Sequence, residues 1–221
     1  MTQLVVLSDR SVCFVKIDGT RALAVVKKGQ LTKEMILLKA ADLFNSRGYF
    51  GASMSDVMAA TGLEKGGIYN HFKNKDELAL AAFDLVVSTN SARVKEHIDA
   101  GHTSVEKLVG FVEGFQTAVI NPVFAGGCPL LNCAVESDDT HPALKAKVKS
   151  AIAGVLRALQ SIVESGVARG ELRPDLEPQA VAQFLFASIE GAVLLAKLYE
   201  DPSKMEAVVN QLKLFIKSCA K

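Results

Sequence analysis

Along most of this chain apolar residues recur every three to four positions, the spacing of an amphipathic helix, and Gly, Pro or a small hydroxyl or amide residue marks each break. Met35, Ile36, Leu38, Ala41, Leu43 and Phe44 form the first stripe, with Thr32 as the expected N-cap and Gly48, just past Arg47, as the stop. Ser53, with Asp56 three residues on, caps a short second helix that Thr61-Gly62-Leu63 ends, and a third starts at once near Glu64. Asn74 with Glu77, and Thr103 with Glu106, repeat the capping pattern ahead of two longer stripes, Leu78 to Val86 and Leu108 to Val119. After Asn121-Pro122, the run Gly126-Gly127-Cys128-Pro129 opens a short helix, and a long one follows from about Pro142 to Ala168. Pro178 to Tyr199 is apolar on nearly all sides, and Lys204 to Cys219 carries a stripe of Met205, Val208, Val209, Leu212, Phe215 and Ile216.

The first 28 residues break this rhythm. Ser11 to Ile17 and Arg21 to Val26 flank Asp18-Gly19, a two-residue hairpin signal, and a lone hairpin is marginal without something to pack on. The segment 1–28 is therefore expected to be either a β-hairpin extension or a stretch ahead of the natural start, nearer Lys27, a point that the mass of the protein from its own cell decides. The fold class expected is all-α: a three-helix N-terminal head over 29–75 and a helical bundle over 76–221.

Composition adds little until it is divided. The 221 residues are 49% hydrophobic, ample for a core, and the net charge is +1. Residues 27–75 carry +4 and residues 76–221 carry −4, so a basic front precedes an acidic rear. No secretory signal is evident, and Val181 to Ala196, broken by Gln183 and Glu190, reads as short of a membrane span, so a cytoplasmic protein with no membrane partner is expected. Four cysteines, at 13, 128, 133 and 219, lack metal-ligand spacing and suit a reducing compartment. His97 and His102 make no metal pair, and Asp138-Asp139-Thr140-His141 is first a polar loop. With no Ser-His-Asp set or phosphate-cradling glycine loop identifiable, neither a catalytic site, a metal nor a cofactor is expected.

The stretch Gly51 to Phe72 carries the chemistry. Two short helices joined by a tight turn make a helix-turn-helix, whose second helix enters the major groove of double-stranded DNA. Asn70 suits a bidentate pair with adenine, Lys65 a guanine or a phosphate, and Tyr69, His71 and Lys73 the sugar-phosphate flank. Gly66 and Gly67 each cost a helix roughly 1 kcal/mol relative to Ala, and let backbone approach the groove. Ile68 and Phe72 read as core. The motif resembles the TetR family of bacterial transcriptional regulators: Lys65-Gly66, Tyr69, His71-Phe72-Lys73 and Lys75 stand in the family's places, as do Gly48-Tyr49, Ser53 and Asp56. Gly67 replaces the family's usual Thr, and Glu64 an often small residue. The resemblance implies a DNA-binding head over about 32–83 and a variable rear domain for effector binding and dimerisation.

For the rear half, a mostly apolar pocket for a small organic effector is expected, lined by Phe111, Phe115, Leu131, Phe184 and Ile189. Cys128, at a predicted helix start where the dipole can lower a thiol pKa, reads either as a thiol sensor or, with Cys133, as a small apolar filler. The last two helices, rich in apolar residues on more than one face, read as a homodimer interface, or as faces buried within one subunit. Together these give a DNA-binding regulator, most simply a repressor released from its operator by a small effector or by thiol modification. Two rivals are a non-specific DNA-binding or interaction module, and a helical ligand-processing enzyme.

Overall fold

A computed structural model describes the backbone of residues 4–5, 14–17 and 20–22 and all of residues 28–221. The first three pieces are strands β1 (Leu4–Val5), β2 (Phe14–Ile17) and β3 (Thr20–Ala22), in one antiparallel sheet of that order. Ile17 pairs with Thr20, which leaves the two-residue connection that Asp18-Gly19 suggested, although those two residues and 23–27 lie outside the described set.

Nine α-helices follow among the described residues: α1 (Lys28–Arg47), α2 (Met54–Thr61), α3 (Lys65–Tyr69), α4 (Lys75–Asp99), α5 (Ser104–Ile120), α6 (Pro129–Ser137), α7 (Pro142–Ala168), α8 (Pro178–Leu198) and α9 (Ser203–Ser218). The chain is all-α in class, with a helix-turn-helix head and a helical rear body. Local side-chain chemistry sets the ends. The hydroxyl of Ser53 accepts from the Asp56 N–H while the Asp56 carboxylate accepts from the Ser53 N–H, and Thr103 and Glu106 repeat the exchange. Asn74 caps α4 by accepting from the Glu77 N–H. Thr32 is different: α1 begins one turn earlier, and the Thr32 hydroxyl donates to the Lys28 carbonyl from inside the helix. A threonine able to cap is equally able to bond back four residues when the chain before it is already helical.

Two hydrophobic cores share one helix. In the head, Ile36, Ala40, Ala41 and Phe44 of α1 meet Val57 of α2, Ile68 and Phe72, and the set is closed by Leu78, Ala79, Ala82 and Val86 from the first half of α4. Leu38, expected inside, is half exposed. In the body, Phe83 and Val94 of the same α4 join α5, α7, α8 and α9. Phe124, between α5 and α6, belongs to the head's core although it comes from the body's chain.

Helices α7 and α8 are each long and apolar enough to cross a membrane by length and composition, contrary to the sequence reading of the eighth. The eighth helix runs 21 residues, from Pro178 to Leu198, and so extends past both ends of the Val181 to Ala196 run. In the fold α8 packs between α7 and α9 and buries Val181, Leu185, Ile189 and Val193.

Candidate nucleic-acid interface and effector cavity

The turn between α2 and α3 rests on Gly62, whose φ of 68° closes α2 in the left-handed region that a side chain disfavours. Helix α3 is only five residues long, held from below by fully buried Ile68 and by Phe72. That anchoring turns Lys65, Tyr69 and Asn70 outward, with Tyr69 37% exposed and the Lys65 ammonium 5.7 Å from its ring centre. Lys73 is exposed and His71 half-buried, next to the start of α1. A Cβ on Gly66 would meet nothing within 4 Å, and one on Gly67 only Leu63, at 3.5 Å. The fold itself therefore does not demand either glycine.

Ser53, expected among the DNA-contacting residues, and Lys75 of the motif both make bonds within the head. Ser53 is exposed, but its hydroxyl is engaged with Asp56, so it shapes α2. Lys75 donates to the Tyr49 carbonyl at 2.6 Å and lies 4.3 Å from the Tyr49 ring centre, tying the start of α4 to the end of α1.

In the body, α4, α5, α7, the start of α6 and the loop before it enclose a cavity of about 620 Å³. Of the five residues expected in its wall Phe111 and Phe115 line it, together with Cys128, Val94, Leu130 and Leu159. Leu131, Phe184 and Ile189, also expected there, do not line it, and neither does Cys133. Leu131 is packed against the body core while its neighbour Leu130 faces the cavity; Cys133 faces a small cleft near Phe44 and Tyr49; Ile189 is wholly buried in the core; and Phe184, 47% exposed, stacks edge-on against Phe215 at 4.7 Å on the outer surface. Helical periodicity identified these residues as apolar but left open which side of the bundle each helix turns inward.

Cys128 does stand at the N-cap of α6, but the dipole does not win. Burial first, then the nearby Glu190 carboxylate, push its thiol well above the ordinary range, and the S–H donates to Glu190 Oε1 at 2.9 Å. Glu190 is 7% exposed, its Oε2 has no partner among the described residues, and burial raises its pKa to about 7. Cys133 is pushed up to about 12 by burial and Glu136. Neither cysteine is a standing thiolate.

The polar seam between head and body was not foreseen. Asn45, in α1 and buried, donates to the carbonyls of Ala125 (2.7 Å) and Gly127 (3.1 Å), while Asp42 accepts from the Ala125 N–H at 2.9 Å. Asn132 of α6 donates to the Gly126 and Asn45 carbonyls, and one turn on Glu136 accepts from the Tyr49 N–H at 2.7 Å. Gly126 permits this closeness: its φ is 108°, and a Cβ there would lie 2.0 Å from the Asn45 carbonyl oxygen. The Tyr49 hydroxyl donates to Asp76, and His141 stands edge-on to the Tyr49 ring, its Nδ1 accepting from the Leu144 N–H. Phe124 crosses this seam, in the head's core on one side and in the cavity wall on the other. A lone aromatic within a Pro- and Gly-punctuated break was the one available sign.

Residues 36–82 match the family described as bacterial regulatory proteins, tetR family, and residues 104–212 match the tetracyclin repressor-like C-terminal domain. A TetR transcriptional regulator from Chloroflexus aurantiacus J-10-FL is 40% identical, with 87% of this chain and 98% of that one covered at a TM-score of 0.84. The transcriptional repressor DhaR of Mycobacterium sp. (strain GP1) is 26% identical over 79% of this chain and 86% of its own. A cysteine-substituted form of the TetR-family regulator CifR, solved on a 26 bp double-strand operator, shares the fold at a TM-score of 0.71 and 22% identity, over 81% and 94% of the two chains.

Proposed function

This chain belongs to the TetR family of bacterial transcriptional regulators and is a ligand-responsive, DNA-binding repressor, and from that premise we propose how its parts divide the work. Lys65 and Tyr69 of α3 and Asn70 at its C-cap face the major groove, Asn70 reading a base edge, while His71 and Lys73 hold phosphates at the flank and Ser53 fixes the angle of α2. Gly66 and Gly67 leave the groove-facing side of α3 bare, so backbone can come close to the duplex.

The observation that supports ligand response is Phe124. One residue walls the cavity and fills the head's core, so a ligand that displaces it disturbs the packing beneath the reading helix. The Asn45–Asn132–Gly126 contacts then carry the shift of the loop and α6 into α1. Occupancy favours a head position unsuited to the operator, and the operator is released to the extent that the ligand prefers that state.

The functional unit we propose is a homodimer through α8 and α9. Phe184, Leu194 and Leu198 of α8, Tyr199 just past its end and Leu214 of α9 are exposed apolar residues on that side. Pairing two heads supports reading of half-sites about one turn of DNA apart, ~34 Å or a multiple. A protein that does this works on the chromosome, in the cytoplasm, and its cavity serves regulation rather than catalysis.

Fluorescence anisotropy with the duplex from upstream of its own gene, against a scrambled duplex at physiological salt, tests the reading. Preference for the former by three orders of magnitude or more is expected; equal binding would leave a non-specific module instead. Reversible ligand capture is favoured over thiol modification because the Cys128 proton is held against Glu190.

A further inference from the structure

The cavity is polarised along its length. The twelve steps along α4 from Val87 to Asp99, both in its wall, rise about 18 Å. Toward the head the wall is mostly apolar, with Val87, Phe124, Pro129, Leu130 and Ala151, and carries only the uncharged polar side chains of Asn90 and Ser91. At the far end stand Lys95, Asp99 and Lys107. Lys95 is already paired with Asp99 in an i,i+4 bridge. Lys107, half-buried near the start of α5, has no carboxylate within 4 Å and no side-chain hydrogen bond among the described residues, so one positive charge is left over at that end of an otherwise greasy slot.

We infer that the effector is an elongated monocarboxylate, a linear apolar chain whose carboxylate pairs with Lys107 at the far end and whose tail runs along α4 to Phe124; this rests on the cavity being the effector site. The paired Lys95 and Asp99 add no net charge, and a cationic head group would face Lys107 with nothing to offset it. A neutral head group leaves the lysine as it is and gains only the tail. Each methylene that enters the slot tightens binding about three- to fourfold. The tail's length also sets the response: a chain too short to reach Phe124 occupies the far end without touching the residue that joins cavity and head.

The test is calorimetric titration of the full chain with decanoate, decanol and decylamine, repeated on Lys107→Met and Lys107→Arg, alongside operator anisotropy with acids of four to twelve carbons. Decanoate is expected to bind at least tenfold tighter than decanol, with decylamine weakest. Lys107→Met should bring the acid to within threefold of the alcohol while leaving the alcohol unchanged, and Lys107→Arg should restore the gap. Acid and alcohol binding alike, or a Met variant that weakens both equally, overturns the anionic class. Release of the operator should begin only above a threshold chain length; equal release at all lengths that bind overturns the reach to Phe124. If decanol binds and releases the operator as well as decanoate, the effector cavity stands and the carboxylate falls. If decanoate binds through Lys107 yet leaves operator affinity untouched, the ligand class stands and the cavity's role in repression falls.

Discussion

Glu190 shows what one buried carboxyl does to a helical body. Its pKa is raised to about 7 by burial, against an ordinary 4.5, so the folded state holds the proton more tightly than the unfolded chain. The stabilisation is complete below about pH 4.5 and is lost as pH rises through 7, a swing of about 3 kcal/mol. Urea midpoints of the wild type should therefore drop relative to those of Glu190→Gln between pH 5 and pH 8; parallel curves would mean that the carboxyl ionises freely. Just past α3 the residues separate by task. Lys73→Ala should lower the salt slope of operator binding by about one and weaken all duplexes alike, whereas Asn70→Ala should change base preference at one position by about 1–3 kcal/mol, both read by anisotropy over a salt and sequence series. Identical behaviour of the two would end that division. Gly66→Ala has open space and a favourable propensity, so it should stabilise the head by up to about 1 kcal/mol in thermal melts while costing operator affinity.

At the scale of elements, what could be read from the sequence is what local chemistry decides. Ser53 with Asp56, Asn74 with Glu77 and Thr103 with Glu106 each satisfy their own backbone within four residues, so three helix starts were legible without any knowledge of the fold. Thr32 failed because the same hydroxyl has two local partners and only the preceding chain chooses between them. The cavity was half legible: Phe111 and Phe115 are one turn apart on α5 and face it together, but Leu130 rather than Leu131, and the placing of Phe184 outside, depend on how α6 and α8 are rotated against neighbours far away in sequence. The seam of Asn45, Asn132 and Gly126 was illegible because Asn45 lies 80 to 87 residues from Ala125, Gly127 and Asn132, its partners across it. Asn45→Ala removes two hydrogen bonds from a buried side chain and should cost about 1–3 kcal/mol in urea unfolding. If α6 is the relay, it should also leave operator binding intact while blunting release by ligand; unchanged release would take the relay elsewhere.

For the whole molecule, the proposed pairing through α8 and α9 is what governs affinity. Phe184→Glu with Leu198→Glu places charge on two apolar residues that are 47% and 70% exposed in one subunit, and it should leave the subunit folded by circular dichroism. By sedimentation the species should be a monomer, and operator affinity should fall at least a hundredfold; an unchanged dimer would move the interface off α8. Helix α4 sets a different kind of limit. Because its first half completes the head's core through Leu78, Ala79, Ala82 and Val86, the boundary suggested by the motif, near residue 75, cuts through packing rather than linker. Reading heads grafted onto other bodies would have to be joined beyond Val86, and would still need a replacement for Phe124. The DNA-reading part is thus less portable than its motif suggests, and a new operator preference is more simply built by substitutions on the outer side of α3 than by exchange of the head.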